Sequence, residues 1–137
     1  MRHIKEIIVH CSATREDMDF HASDIDRWHK QRGWKGIGYH YVIDLDGTIE
    51  TGRDTSQIGA HCTGHNRHSI GICYIGGLDE YGNPADTRTP AQKAAMAKLI
   101  HELRSRHPGS IVYGHRDFAA KACPCFDARA EYGLEEK

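Results

Sequence analysis

The sequence predicts an α/β fold, a single domain over residues 1–137 with a mixed central β-sheet flanked by helices. Three observations lead there. Short apolar, β-branched runs recur along the chain. Two longer stretches between them carry apolar residues at helical spacing, and one Asp-Gly pair marks a hairpin. In the first run, Ile4 to Cys11, alternation puts Ile7, Val9 and Cys11 on one face and Ile8 and His10 on the other. Ser23 or Asp24 can cap a helix running to about Arg32, with Ile25, Trp28 and His29 on one stripe and Gly33 as its stop. Tyr39 to Asp44 and Thr48 to Thr51 should pair across Asp46-Gly47, because that dipeptide tolerates the positive φ of a tight turn.

Ser69 to Ile75 reads as another central strand, ended by Gly76-Gly77, and a polar loop follows through Asn83-Pro84. Thr89-Pro90-Ala91-Gln92 is a capping box with proline at the first helical position. The helix it opens, to about His107, carries Met96, Leu99, Ile100 and Leu103 at core spacing. Pro108-Gly109 stops it, and Ile111 to Tyr113 is a short buried strand that delivers His115. Beyond Tyr132 the tail is too charged for a pattern to emerge. No repeat, low-complexity tract or linker interrupts the chain, so no second module is expected.

At 137 residues the chain can bury roughly two-thirds of its unfolded surface around one core. A net charge of −1 gives no support to nonspecific nucleic-acid binding, which wants a clearly basic face. No apolar run approaches the ~20 residues that cross a bilayer, so no membrane insertion is expected. Met1-Arg2-His3-Ile4-Lys5-Glu6 is charged and leads straight into a strand, unlike a signal peptide. Synthesis in the cytoplasm is expected, with the five cysteines reduced and one or two of them serving as ligands. Eleven histidines exceed what a surface needs, which points to a polar cleft.

Two imidazoles and a thiol sit where apolar runs give way to loops. His10 ends the first strand, His115 follows the last, and Cys123 lies on a loop that Pro124 stiffens. Zinc favours nitrogen and sulfur donors, and three protein ligands leave a fourth position for water. Convergence of His10, His115 and Cys123 would make a hydrolytic metal site with Lys121 two residues from its thiolate. Each residue also has an ordinary explanation: a strand-end histidine held by a hydrogen bond, or a packed cysteine. Cys125 is a rival thiol, but Phe126 beside it favours an inward side chain, so Cys123 is preferred. A Cys123–Cys125 disulfide would be strained, and a redox motif needs two residues between its cysteines.

A second cluster, His61-x3-His65-x2-His68, has helical spacing for a metal clamp, but Gly59, Gly64 and Asn66 oppose a helix there. It reads as a cleft loop facing substrate, with His61 its best candidate and solvent exposure the alternative for His65 and His68. His40, His61 and Asn66 are the candidate substrate-binding residues.

The runs Ile8-Val9-His10-Cys11-Ser12-Ala13-Thr14, Gly38-Tyr39-His40-Tyr41, Asp46-Gly47-Thr48, Gly59-Ala60-His61, Ser69-Ile70-Gly71-Ile72, and His115-Arg116-Asp117 through Lys121-Ala122-Cys123-Pro124 resemble the amidase-2 family. These are zinc N-acetylmuramoyl-L-alanine amidases, a group that includes phage lysozymes and peptidoglycan recognition proteins. Each run alone is weak; six in order, over nearly the whole chain, are specific. The resemblance implies zinc (Zn2+) on His10, His115 and Cys123, with Tyr39 and Lys121 catalytic. It also implies hydrolysis of the amide between N-acetylmuramic acid and L-alanine. Lys121 would stabilise the oxyanion. Tyr39, with an ordinary pKa near ~10, is a poor base and fits better as a hydrogen-bonding partner, although metal and lysine could lower that value. The proton donor to the leaving amine stays open between Tyr39, Lys121 and a histidine such as His61.

The implied partner is peptidoglycan or a muropeptide, acted on by a monomer. A lytic enzyme of this kind would need a separate pore to reach the wall. Two rivals remain at this level: a cytosolic amidase that recycles muropeptides, and a non-catalytic peptidoglycan-binding module. Retention of Tyr39 and Lys121 beside a full ligand set argues against the second.

Overall fold

The structure is a computed structural model that describes residues Arg2 to Tyr132; the charged tail lies outside them. Five strands form one sheet in the order β4-β3-β5-β1-β7: β1 Glu6–Cys11, β3 Tyr41–Ile43, β4 Ile49–Thr51, β5 Ser69–Tyr74 and β7 Ile111–Gly114. β1, β3, β5 and β7 run parallel, and β4 is antiparallel to β3. The sheet is therefore mixed, as its sequence pattern predicts. Parallel neighbours bury both faces, which is why the six residues of β5 are all buried.

Alternation divides β1 as expected. Ile7, Val9 and Cys11 join a core with Ile70, Ile72, Tyr74 and Val112, covered by Met96, Leu99, Ile100 and Leu103 of α2 (Pro90–Arg106). On the other face Val42 and Cys73 pack with Ile25 of α1 (Ala22–Gln31). Full burial of a side chain such as Ile7 contributes about 1.5–3 kcal/mol.

α2 starts as its capping box predicts, with Thr89 Oγ1 accepting from Gln92 N at 3.0 Å and Gln92 Oε1 from Thr89 N at 2.9 Å. The buried Gln92 also donates from Nε2 to the Ile75 and Ile43 carbonyls, tying the helix start to two strand ends. α1 begins earlier than its sequence suggests. His21, rather than Ser23 or Asp24, holds the cap position; Asp24 sits one turn in and accepts from His21 N at 2.9 Å. The stop at Gly33 (φ +89°) and the hairpin turn at Gly47 (φ +87°) both use left-handed backbone.

Three features escape the sequence pattern. β2 (Thr14–Arg15) and β6 (Gly77–Leu78) form a small separate sheet, too short for periodicity to register. α3 (Ala128–Tyr132) packs on β7. The buried Arg88 ion-pairs with Asp86 and Glu131 and lies 3.4 Å from the Phe126 ring centroid, joining α3 to the core. Among the described residues no helix is long and apolar enough to cross a membrane.

Candidate active site

Parallel strands direct their carboxyl ends to one edge of the sheet, where ligand sites of α/β folds form. His10 is the penultimate residue of β1. His115 opens a single 3-10 turn directly after β7, the neighbouring parallel strand. Their Nδ1 atoms lie 3.2 Å apart. The loop after that turn returns Cys123 alongside: its Sγ accepts from Cys11 N at 3.2 Å. One ligand atom each from His10, His115 and Cys123 falls within 4.8 Å of the others. Tetrahedral zinc with Zn–N bonds of 2.0–2.1 Å separates two nitrogens by about 3.3 Å, so the observed spacing fits such an ion.

Cys125 is elsewhere. It takes a left-handed backbone (φ +69°), donates its thiol to the Gly77 carbonyl at 3.2 Å and lies 4.0 Å from Cys11 Sγ. Burial pushes its thiol up to about 11. Both Cys123 and Cys125 pack on the apolar core, so it is the partners of the Cys125 sulfur, Gly77 and Cys11, that set it apart.

A cleft of about 350 Å³ opens over this group. Tyr39, His61, Asn66, His115 and Lys121 line it, so the structure brings five of the sequence candidates to one cavity. His10 lies beneath, fully buried, with its ring centroid 5.0 Å from that of Tyr39 and 4.6 Å from that of His115. Burial, reinforced by His61, His115 and Lys121, holds His10 well below the ordinary imidazole value. Burial lowers His61 to about 3, and burial with the Lys121 charge lowers His115. All three rings are thereby neutral near pH 7, the state in which imidazole can ligate a metal. Burial pushes the Tyr39 phenol well above its usual value.

Asn66 borders the cleft while its Oδ1 accepts from the His61 and Cys62 amides at 3.0 and 2.9 Å, which fixes the loop. His40, expected at the substrate, is instead packed behind the cleft and does not line it. Its Nδ1 accepts from Gly71 N at 3.0 Å, and its Nε2 lies 2.8 Å from the Gln57 carbonyl, so neither ring nitrogen is free. His65 and His68 also lie off the cleft. His65 stacks on Phe118 at 3.7 Å and meets Glu6 at 3.1 Å, and His68 is exposed.

The sequence reading missed Trp34 and Arg32 in the cleft wall. An aromatic directly after a helix-stopping glycine was the available signal. It also missed a second group, His21, Asp44 and Glu50, at the start of α1. There His21 Nδ1 lies 3.2 and 3.5 Å from the two carboxylates.

The family model described as N-acetylmuramoyl-L-alanine amidase matches residues 1–126. The chain belongs to that family. An endolysin of Enterobacteria phage K11 is 46% identical over 122 residues, 89% of this chain and 81% of that protein. Among solved structures, the N-acetylmuramoyl-L-alanine amidase LysC of Clostridium intestinale superposes with a TM-score of 0.82 at 31% identity, covering 95% of this chain and 82% of that one. Drosophila PGRP-LB, at 27% identity, gives a TM-score of 0.79 over 96% and 80% of the two chains. The chain is an N-acetylmuramoyl-L-alanine amidase, an enzyme that hydrolyses an amide bond of peptidoglycan. The described residues include a His/Cys group able to hold a metal ion.

Proposed function

We propose that residues 1–137 form one catalytic domain that uses zinc held by His10, His115 and Cys123 to cleave the bond between N-acetylmuramic acid and L-alanine. The observation that carries this reading is the meeting of those three side chains beneath a cleft bordered by Lys121 and Tyr39. Zinc, when bound, supplies Lewis acidity that polarises a carbonyl and makes water nucleophilic near neutral pH. Two neutral imidazoles and one thiolate leave that site formally at +1.

The chain's own residues do the rest. Lys121 is exposed at the cleft and offers its cation to the negative charge that develops on the scissile carbonyl oxygen, a role worth about 2.7–4 kcal/mol for a well-placed donor. Tyr39, held as a neutral phenol by burial, donates a hydrogen bond rather than acting as a base. Trp34 and Asn66 shape the wall against which the glycopeptide lies.

The likeness to a phage endolysin supports a lytic role over muropeptide recycling. In that role a monomer made in the cytoplasm meets the wall once a separate pore admits it. Mass spectrometry of digested sacculi tests bond, substrate size and metal need together. The reading requires new L-alanine amino termini from intact sacculi, lost on chelation and restored by zinc. Cleavage only of small soluble fragments supports recycling, and binding without cleavage supports a recognition module.

A further inference from the structure

His10 has a second ring nitrogen, and it faces away from His115. His10 Nε2 lies 2.8 Å from His61 Nδ1, and both rings are buried. His61 Nε2 in turn lies 3.2 Å from the hydroxyl of Ser69, a residue with no exposure. The first member decides the polarity of this chain. A metal on His10 Nδ1 needs that atom's lone pair, so the single ring proton sits on Nε2 and donates to His61 Nδ1. His61 then carries its own proton on Nε2 and donates it to Ser69 Oγ, which can accept. One arrangement of protons engages all four ring nitrogens.

The backbone is built around this ring. A Cβ at Gly71 would lie 2.7 Å from His61 Cγ and Cδ2 and 2.9 Å from Nδ1; one at Gly59 would lie 2.7 Å from Cδ2. Only glycine at these two positions leaves a slot for the imidazole. Gly71 lies on β5 directly opposite Ile8 of β1, two residues before His10, so the slot and the candidate ligand share a strand register. Asn66 holds the His61 amide from the third side. With both ring nitrogens engaged, His61 has no polar atom left for substrate, although it borders the cleft.

We infer that His61 is a positioning residue for the metal: it locks His10 in the tautomer that presents Nδ1 to the ion, and Ser69 and Gly71 hold His61 in place. This rests on the zinc reading above and adds what orients the buried ligand.

The experiment measures zinc affinity by chelator competition in the wild type and in His61→Leu, His61→Asn, Gly71→Ala and Ser69→Ala, with nitrogen-resolved NMR of the His10 ring. Loss of such an outer hydrogen bond typically weakens a metal site about 10–100-fold, and His61→Leu should fall in that range. His61→Asn, whose amide oxygen can take the place of Nδ1, should recover most of the affinity. Gly71→Ala should weaken zinc although every polar group is retained, and Ser69→Ala should do so less. In the zinc-free protein the wild-type His10 ring should already be protonated at Nε2, and the zinc-free leucine variant should show a mixture of tautomers. Zinc binding by folded His61→Leu within twofold of wild type, or a zinc-free wild-type His10 protonated at Nδ1, overturns the inference while leaving the zinc reading intact. A leucine variant that fails to fold leaves the asparagine and alanine variants to decide. A wild type that binds no zinc overturns both.

Discussion

On one face of β1, Ile7, Val9 and Cys11 meet α2 across an apolar layer; on the other, one residue along, His10 meets the rings of Tyr39, His61 and His115. The two faces belong to the same six residues and differ only by the period-two alternation of a strand. The apolar face gains from burial alone and tolerates exchange among hydrophobic residues of similar volume. The histidine face carries buried polar atoms, each of which costs free energy unless it finds a partner. Here the partners are other rings, a backbone amide, a serine and, in the proposed reading, a metal. The apolar face makes the molecule stable and, in the proposed reading, the other makes it an enzyme, so variants should separate the two.

The largest separation is expected at the proposed ligands. Cys123→Ala should abolish turnover and release zinc, measured by metal content after dialysis, with the core of α2 intact by thermal unfolding. Unchanged zinc would transfer the thiolate role to Cys125, despite its packing against Cys11 and Gly77. Lys121→Ala comes next: kcat should fall about 10²–10³-fold with zinc content unchanged, since the side chain is exposed and contributes to charge rather than packing. Wild-type rates in that variant would remove lysine from the mechanism. Ile7→Val, on the apolar face, should cost about 0.5–1.5 kcal/mol of stability by denaturant unfolding and leave kcat unchanged. A large loss of activity there would show that the two faces are coupled.

The smallest effect lies away from both faces, in the His21, Asp44 and Glu50 group. Burial first, then Glu50 beside it, raises Asp44 to about 7, while His21, whose partner is Asp44, is itself raised. A carboxyl raised on folding costs stability as pH climbs from about 4 through 7, whereas the raised His21 loses its contribution only above its ordinary value of 6.5. Glu50 is lowered and offsets part of the change. Asp44→Asn should therefore gain stability relative to wild type between pH 4 and pH 8, by an amount on the order of 1 kcal/mol. A pH-independent difference between the two proteins would contradict this.

Much of this is legible in the sequence. The strands of the central sheet, α2 with its cap, the Asp46-Gly47 turn and the division of β1 follow from patterns that local physics enforces. His10, His115 and Cys123 could be singled out because each ends or follows an apolar run, and strand ends are where parallel sheets expose side chains. What sequence spacing lacks is direction. His40 and His61 both follow a short glycine-containing run, yet His61 borders the cleft and His40 packs behind it against Gly71 and Gln57. Arg88 reads as one polar-loop residue among many, because its partners Asp86 and Glu131 meet it only once α3 has docked. β2 and β6, two residues each, carry no period at all.

Zinc X-ray absorption of the loaded protein tests the central claim most directly, because it counts the atoms that hold the ion. Cys123 with His10 and His115 predicts one sulfur at about 2.3 Å and three lighter atoms near 2.0–2.1 Å, two from imidazole and one exchangeable with solvent. Two sulfurs, none, or a fourth protein ligand in place of the exchangeable atom would contradict it.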